Sequence, residues 1–364
     1  MMTLRQFDAA PKVIPSATSW YLADLGESRG KQELFTQQSP QKLKSLREHA
    51  LIESAVSSNR IEGVEVEQAR IGTVVFGKAH LRDRDEEEVR GYRQALDLIH
   101  ARGAALPFSE ETVLHLQSQS RGGIGDAGQY KQTENDIIAV FPDGRREVRF
   151  RTVKPADVPA CMREMIERWH AVLLHRTVHP LIALGACNLD FLCIHPFRDG
   201  NGRTSRLLFL LLTYHLGFEV GRYISFERLI EQNKERYHET LRLSSQGWHE
   251  GKHDPWVYIN FMLYKLIEAS KEFERRAGET ASPRGSKTTL ILNAIDRYVG
   301  PFQATDVQRV CPGVGLDLIR RILKEKRQAG QLDCKRRGPK SLWDKTDAWG
   351  LGLTYDLGNN LGTN

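Results

Sequence analysis

Apolar positions recur at helical spacing through most of the first 276 residues. This periodicity predicts eight helices, over residues 40–62, 85–101, 110–118, 155–170, 180–194, 204–216, 227–243 and 254–276. Ser39 and Pro40 supply an N-cap with proline in the first turn, and Gly63 is a C-terminal stop for the first of these helices. The first 39 residues lack a clear period, which predicts loops and short helices there.

One segment departs from the helical pattern. Residues 136–140 and 147–153 are apolar or alternate, and Pro142-Asp143-Gly144 between them is typical of a turn. This pattern predicts a β-hairpin. A lone hairpin in a helical protein has no sheet to join, so we expect it to lie on the helices or to cover something.

The C-terminal quarter has its own pattern. Residues 277–286 are small, polar and proline-bearing, which is typical of a linker. Helices are then predicted over 288–298, 304–311 and 316–329, and two short strands within 332–343. Three helices followed by a basic hairpin is the plan of a winged helix-turn-helix domain. Residues 316–329 would then be the recognition helix and residues 335–340 a wing that contacts phosphates, although winged helices also serve as protein-docking domains. The fold class predicted for the whole chain is therefore mainly α.

These patterns divide the chain into five predicted parts. They are an N-terminal region over 1–80 with a helix at about 40–63, a helical core over 81–276, the linker 277–286, the winged-helix domain 287–348 and a disordered tail over 349–364.

Charge is uneven along the chain. The 364 residues carry 52 basic and 46 acidic side chains, and the net charge is +6. Between Leu316 and Lys345 there are ten basic and four acidic residues, so this segment accounts for the whole excess. Such a local basic surface indicates either a nucleic-acid partner or simply a solvated helix face.

Composition excludes several classes of protein. Hydrophobic residues make up 40% of the chain, which is typical of a globular protein. No apolar run approaches the roughly 18–20 residues of a membrane helix, so no membrane partner is expected. The five cysteines form no CxxC pair, which favours reduced thiols and a cytoplasmic location.

The densest cluster of chemistry is the segment between the helices 180–194 and 204–216. Gly200-Asn201-Gly202 lets backbone N–H groups turn towards one point, and the following helix adds its positive N-terminal end. Arg203 and Arg206 are three residues apart and can both reach phosphate oxygens. The segment is therefore predicted to bind phosphate groups.

Two further side chains complete this cluster. Asp199 places one carboxylate beside the cradle, which suits Mg²⁺ bridging two phosphates. His195 precedes it by four residues and is a candidate general base. Each feature is weak alone, but their combination within twelve residues is hard to explain as core packing.

Residues 195–206, HPFRDGNGRTSR, match the signature HPFx(D/E)GNGRxxR of the Fic family at every defined position. The resemblance extends from about residue 43 to residue 266. Residues 58–63, SNRIEG, resemble the inhibitory-helix motif (S/T)xxxE(G/N) of the class with an N-terminal inhibitory helix. The predicted hairpin lies where Fic proteins carry the flap that docks the target segment, and Tyr237 lies where they have a tyrosine that contacts the nucleotide.

The resemblance implies protein AMPylation, the transfer of AMP from ATP to a Ser, Thr or Tyr hydroxyl with release of pyrophosphate. It implies that His195 takes the hydroxyl proton and that Asp199 holds Mg²⁺ on the α- and β-phosphates. The other residues that it assigns to the nucleotide are Gly200, Asn201 and Gly202 as the anion hole, Arg203 for the β-phosphate, Arg206 for the γ-phosphate, Thr204 and Ser205 within the same phosphate-binding segment, and Tyr237.

Glu62 has a predicted inhibitory role. If its helix packs against the cradle, the carboxylate can pair with Arg206 and occupy the position of the γ-phosphate. Ser58 and Gly63 complete the motif around it. ATP would then bind only with its α-phosphate misplaced, and we expect the enzyme to be mostly inactive.

Two other functions stay open at this stage. One is the reverse reaction, in which Glu62 positions water to remove AMP from a modified protein. The other is a DNA-binding regulator whose core only senses a nucleotide, although the intact His195 argues against it. A phosphotransferase of the related Doc type is disfavoured because Gly200 and Gly202 are both present.

The expected partners follow from these assignments. They are a protein with a hydroxyl side chain, this chain itself included, and DNA at the basic C-terminal domain. A homodimer is open, and the sequence names neither the target nor a DNA site.

Overall fold

The structure is a computed structural model, and it describes residues 2–9, 13–36, 40–67, 70–77, 80–122, 125–140, 143–278, 286–298, 300–311, 314–336, 338, 341–346 and 348–349. The chain divides into two compact units, one formed by residues 1–66 and 70–279 and the other by residues 67–69 and 280–364. The predicted mainly helical fold is confirmed. Among the described residues, no helix is both long enough and apolar enough to cross a membrane.

In its described residues, the larger unit consists of helices and one hairpin. Its helices are α1 (Ser16–Thr36), α2 (Pro40–Ile61), α3 (Ile71–Phe76), α4 (Arg84–Arg102), α5 (Glu110–Ser120), α6 (Val158–His175), α7 (Pro180–Ile194), α8 (Asn201–His215), α9 (Phe226–Glu231), α10 (Lys234–Ser245) and α11 (Trp256–Gly278). The predicted hairpin is formed by the antiparallel strands β1 (Ile137–Val140) and β2 (Arg146–Phe150).

Helix α7 lies at the centre of this unit. Every residue from Leu181 to Ile194 is buried, as expected for a helix that is apolar on all sides. It packs against α6, α8, α10 and α11. The short connection from α7 to α8 therefore starts and ends on two helices of the core, which fixes the positions of the residues that it carries.

The prediction for the first 39 residues was wrong. Instead of loops and short helices, they contain α1, a helix of 21 residues that packs against α11. Its described buried side chains are Thr18 and Leu25, and the Thr18 hydroxyl donates to Asn260 Oδ1 at 2.7 Å. A helix that buries so few apolar side chains has no strong 3.6-residue hydrophobic period, so periodicity in the sequence does not predict it.

The predicted single helix over 227–243 was also wrong, because two helices, α9 and α10, cover it. The break falls at Gln232 and Asn233, and Asn233 has the non-helical angles φ −127° and ψ 33°. Its side-chain amide donates to Leu229 O at 3.0 Å, which ties it to the end of α9. Asn competes with the helical backbone in this way, which favours a break here.

The smaller unit contains α12 (Ser286–Arg297), β3 (Phe302–Gln303), α13 (Ala304–Val310), α14 (Leu316–Gln328), β4 (Leu332–Arg336) and β5 (Leu342–Lys345). Its antiparallel sheet has the order β3-β5-β4. The helices and the last two strands agree with the sequence pattern, whereas β3 is too short to have been predicted.

The proposed domain boundaries stay predictions, and so does the assignment of the smaller unit as a winged helix-turn-helix domain. Most of the predicted linker 277–286, residues 279–285, lies outside the described residues. The same holds for residues 350–364 of the predicted tail.

Candidate active site

The connection between α7 and α8 is a rigid loop. His195 ends α7 in the left-handed region, at φ 52°, and its N–H donates to Phe191 O at 3.0 Å. Gly200, at φ 82°, precedes the first residue of α8. Between them the side-chain amide of Asn201 accepts from Phe197 N at 2.9 Å and donates to Phe197 O at 2.7 Å. These bonds fix the loop, and they leave the Asn201 amide committed to it.

His195 is oriented as a base. Its Nδ1 lies 3.3 Å from Leu192 O, and a carbonyl only accepts, so Nδ1 carries the proton and Nε2 keeps a lone pair. Burial lowers the pKa of His195 to about 4, and the nearby cation of Lys131 acts in the same direction. The imidazole is therefore neutral at pH 7 and able to accept a proton at Nε2.

Arg206 lies in the first half of α8 and reaches the end of α2. Its Nε donates to Ser58 Oγ at 2.9 Å, and its Nη2 donates to Ser58 O at 2.9 Å and to Glu62 Oε1 at 2.8 Å. Burial opposes the charge of Arg206, but the Glu62 carboxylate raises its pKa overall. Burial likewise opposes the charge of Glu62, and Arg206 nevertheless lowers the pKa of its carboxyl group. Both side chains are charged in this contact.

The backbone brings Glu62 to this position just after α2. Gly63 follows at φ 84°, and the N–H groups of Glu62 and Val64 both donate to Asn59 O at 3.0 Å. The carboxylate lies directly over Gly202, where a Cβ atom would come within 2.1 Å of Glu62 Oε1. Any larger residue at 202 would therefore force the Glu62 carboxylate to shift from this position.

Arg203 is held differently. Its Nη1 donates to Glu88 Oε2 at 2.6 Å and to Asn59 Oδ1 at 3.2 Å, and the side chain is 2% exposed. Glu88, on α4, is also 2% exposed and had no sequence motif to identify it. The pair is a buried ion pair behind the loop, and Arg203 does not line the cavity described below.

Asp199 is surrounded by arginines. Its Oδ2 accepts from Arg84 Nη2 at 2.8 Å and from Arg121 Nη1, and its Oδ1 accepts from Gly200 N at 2.6 Å. Burial raises the pKa of the carboxyl group, but Arg121 and Arg203 outweigh this and lower it. Asp199 is thus ionised at neutral pH, as a metal ligand must be.

Asp199 offers one carboxylate as a metal ligand, and the present partners of that carboxylate include two arginines, Arg84 and Arg121. Among the described residues, no group of three or more His, Cys, Asp or Glu side chains is placed to hold a metal ion. Mg²⁺ in nucleotide sites is commonly held by one or two carboxylates together with the substrate phosphates. A single ionised carboxylate beside the phosphate cradle fits that requirement.

A cavity of about 410 Å³ opens in front of the loop. Its walls are the loop with the end of α2, the helix α10, and the hairpin. The lining residues are Glu62, Asn135, Asp136, Ile137, Arg149, Phe150, Leu192, Cys193, His195, Arg198, Gly202, Tyr237, His238, Leu241, Arg242 and Ser245.

Four of the thirteen predicted site residues line the cavity: Glu62, His195, Gly202 and Tyr237. The other nine do not: Ser58, Gly63, Asp199, Gly200, Asn201, Arg203, Thr204, Ser205 and Arg206. Of these, Thr204 and Ser205 are fully buried at 0% exposure, and the Ser205 hydroxyl donates to Gly202 O at 2.7 Å. The two hydroxyl residues therefore pack inside the fold and do not reach into the cavity.

Some residues around the cavity were not predicted. Lys131 and Asn135 precede the hairpin, and Arg149 and Arg198 contribute positive charge to the cavity. Arg198 lies inside the motif 195–206 but at its undefined position, and Lys131, Asn135 and Arg149 become part of the site only through folding. The basic residues on β2 stand out in the sequence, but their spacing does not match a motif.

Comparison with known proteins agrees with this geometry. Residues 107–213 match the Fic/DOC family. The curated protein adenylyltransferases Fic of Drosophila melanogaster and Drosophila grimshawi are 25% identical over 166 residues, which is 45% of this chain. That region is 30% and 31% of the relatives, so the chain spans less than a third of their length.

Solved structures share the fold. A Fic family protein from Desulfovibrio desulfuricans G20 superposes with a TM-score of 0.59 at 21% identity, over 93% of this chain and 98% of that one. A Fic domain containing signaling protein from Bacteroides thetaiotaomicron VPI-5482 gives 0.58 at 20% identity, over 72% of this chain and 100% of that one. These matches confirm the resemblance that the motif predicted.

Proposed function

We propose that this chain, which carries a Fic domain over residues 107–213, is a protein adenylyltransferase that uses ATP and is restrained by Glu62. One juxtaposition carries the proposal. A neutral His195 with a free Nε2 lines the same cavity as Gly202 and Glu62, and Glu62 is bound to the buried guanidinium of Arg206. A base and an anion site are thus placed side by side.

The proposed reaction uses His195 as the base. Nε2 takes the proton of a target hydroxyl, the hydroxyl oxygen forms a bond to the α-phosphorus of ATP, and the bond from that phosphorus to the bridging oxygen breaks. Pyrophosphate leaves and AMP stays on the target. The protein contributes mainly position and positive charge to this transfer.

Three features support phosphate binding. The N-terminus of α8 begins at Asn201 and presents unpaired N–H groups together with the helix dipole. Among the described residues, Arg206 Nη1 and Arg203 Nε are buried and have no hydrogen-bond partner. Buried unpaired donors are costly, and Arg206 is bound to the cavity-lining Glu62, so a phosphate oxygen that reached Arg206 would satisfy a requirement of the fold.

Asp199 is the residue proposed to hold Mg²⁺, which would neutralise phosphate charge when bound. To serve, its carboxylate must exchange contacts with Arg84 or Arg121 for contacts with the ion and its phosphates.

Glu62 is proposed as the brake. Its carboxylate occupies the face of Arg206 that opens towards Gly202 and the cavity. A γ-phosphate would need the same guanidinium, and two anions cannot share it without repulsion. ATP would therefore bind in a displaced position until Glu62 moves away.

The test uses ATP labelled at the α- or the γ-phosphorus, with wild-type protein and the Glu62→Gly variant. We expect α-label, but no γ-label, to become bound to the Glu62→Gly protein and little to the wild type. Label from the γ-position would indicate a phosphotransferase and contradict the proposal.

The reverse reaction is tested on the same material. Modified Glu62→Gly protein is purified and incubated with unmodified wild-type protein and Mg²⁺, and free AMP is measured. Release that requires Glu62 would establish the removal of AMP as the function instead.

A second candidate function concerns the smaller unit, and we propose that it binds duplex DNA. On α14 the apolar side chains Ile319, Ile322 and Leu323 are buried. Arg320 and Arg321 on the opposite side are 51% and 69% exposed. Part of the predicted wing, residues 337 and 339–340, lies outside the described residues.

Fluorescence anisotropy with a labelled random duplex tests this second candidate. We expect binding by the full chain to weaken steeply with salt and to weaken further in the Arg320→Ala/Arg321→Ala variant. No binding at low salt would favour the alternative, a solvated basic face.

A further inference from the structure

Lys131 is a buried lysine beside the active-site loop that the proposed reaction does not yet use. Its side chain is 3% exposed. Its backbone N–H donates to Pro196 O at 2.9 Å, one residue after His195. Its Nζ donates to Asn135 Oδ1 at 2.8 Å and to Thr152 Oγ1 at 2.7 Å. One residue therefore contacts the loop and both ends of the hairpin.

The two partners of Lys131 extend the connection. Asn135 Nδ2 donates to Phe197 O at 2.8 Å, and Asn135 also lines the cavity. Thr152, which follows β2, donates its hydroxyl proton towards Asn135 Oδ1 at 3.3 Å, and its N–H donates to Asp136 Oδ1 at 3.1 Å. The segments before and after the hairpin are thus tied to each other and to the loop of His195.

We propose that Lys131, with Asn135 and Thr152, is a positioning cluster that fixes the hairpin relative to His195 and places a positive charge next to the loop that carries the imidazole. The proposal rests on the adenylyltransferase function proposed above. The cluster acts through His195 and the hairpin, and Lys131 itself does not touch the reacting atoms.

The charge of Lys131 shifts the pKa of His195 in a defined direction. Burial is the main cause of the low pKa of His195, and the charge of Lys131 is the next. Glu62 and Asp199 act in the opposite direction. The other ionisable side chains that share the cavity with His195 are Asp136, Arg149, Arg198, Tyr237, His238 and Arg242, together with the Cys193 thiol.

Lys131 is also a weakly basic lysine. Burial lowers its pKa to about 8, although Asp136 and Glu134 favour its charged form. It is still mostly protonated at neutral pH, so it opposes protonation of His195 over the range in which the base must be neutral.

The first measurement is independent of activity. In ¹H–¹³C spectra of the full chain, the His195 ring signal is the one that His195→Ala removes. We expect this signal to titrate at about pH 4 in the wild type. In Lys131→Met the midpoint should rise by roughly one pH unit, the order expected for loss of a neighbouring like charge.

Two controls separate charge from packing. Lys131→Arg keeps the positive charge at this position. Lys265→Met removes the charge of another buried lysine, which lies on α11 and pairs with Glu268 at 2.5 Å. Both should leave the His195 midpoint unchanged. A midpoint that stays at the wild-type value in a folded Lys131→Met protein would overturn the electrostatic part.

The second measurement is the rate of α-label transfer in the Glu62→Gly background. We expect Lys131→Met and Thr152→Val each to lower the rate by roughly tenfold or more, because a misplaced hairpin misplaces the target hydroxyl. Lys265→Met should not lower it.

The outcomes of the two measurements are distinguishable from failure of the proposed function. If Glu62→Gly alone transfers no label, the proposed function fails, and the titration still tests the charge of Lys131. If it transfers label and both variants match it, the positioning role is wrong.

Discussion

Two walls of the cavity differ in how their residues are held. The motif wall, formed by residues 195–206 with the end of α2, is backed by two buried arginines that are bound to carboxylates: Arg203 to Glu88 and Arg206 to Glu62, each arginine about 2% exposed at the side chain. The hairpin wall, β1 with β2, is open: Ile138 and Val148 face each other across the strands at 49% and 48% exposure.

The difference matches two requirements of group transfer. The chemical step needs fixed charges at fixed distances, and a buried ion-pair network provides them. Recognition of another protein needs accessible backbone and side chains, and an exposed two-stranded hairpin provides those. Substitutions on the motif wall should therefore change chemistry and stability, whereas those on the hairpin wall should change neither the fold nor the base.

The largest expected effect comes from the base. His195→Ala in the Glu62→Gly background should lower AMP transfer by roughly 10²- to 10⁴-fold, because the imidazole proposed to take the hydroxyl proton is lost. Intact-mass spectrometry after incubation with ATP and Mg²⁺ measures it. His175→Ala, at an exposed position at the end of α6, is the control. If the His195→Ala protein transferred AMP as fast as the Glu62→Gly protein that keeps His195, His195 would not be the base.

The second-largest effect is expected from removal of the inhibitory Glu62 carboxylate. Glu62→Gly should raise transfer by roughly 5- to 150-fold, the usual range for coupling between two sites. Glu62→Gln, which keeps the shape and loses the charge, should give a smaller gain. Glu65→Gly controls for the added glycine, and initial rates of label transfer measure all three. A rate for Glu62→Gly at or below the wild-type value would refute the inhibitory role.

The third prediction compares how much the two walls contribute to the free energy of unfolding. Arg203→Ala removes the 2.6 Å partner of the buried Glu88 carboxylate, which keeps its 2.9 Å contact with Arg84 Nε, so the free energy of unfolding should fall by about 1–3 kcal/mol. Arg149→Ala on β2 removes a 3.2 Å contact with His238 O at an exposed position and should cost less than about 1 kcal/mol. Urea denaturation compares them. Similar decreases in the free energy of unfolding of both variants would contradict the proposed difference between the two walls.

The smallest effect is expected at Ser58. Ser58→Ala removes the 2.9 Å bond from Arg206 Nε and should lower the free energy of unfolding by about 1 kcal/mol. Because Arg206 is then less firmly held, transfer should rise slightly. Ser57→Ala, one residue earlier on α2, is the comparison, and the same denaturation and rate assays apply. A drop in transfer would mean that Ser58 supports catalysis instead of restraint.

Most of the fold could be predicted where helices are amphipathic or fully apolar. Helix α7 was predicted with its exact bounds, Pro180–Ile194, because it is apolar throughout. Helix α1 was missed because its described part buries little beyond Thr18 and Leu25. The break between α9 and α10 depends on a single Asn side chain bonded to the preceding turn, which periodicity does not register.

The candidate site shows the same division. His195, Asp199, Gly202 and Arg206 lie within one short motif, where local spacing is enough to suggest a phosphate site. Glu88 has no motif, and it enters the site because α4 packs beside α8.

By itself, the sequence determined most of the helices, the hairpin and the candidate phosphate-binding motif, since these depend on periodicity and on a contiguous motif. Only the tertiary structure decided that Arg203 is paired with Glu88, that Asn201 holds its own loop and that Lys131 joins the hairpin to the base. These contacts span 115 residues in the first case. The reason is physical: a buried charge must find a partner wherever the packed helices place one, and that place is not encoded by any local pattern.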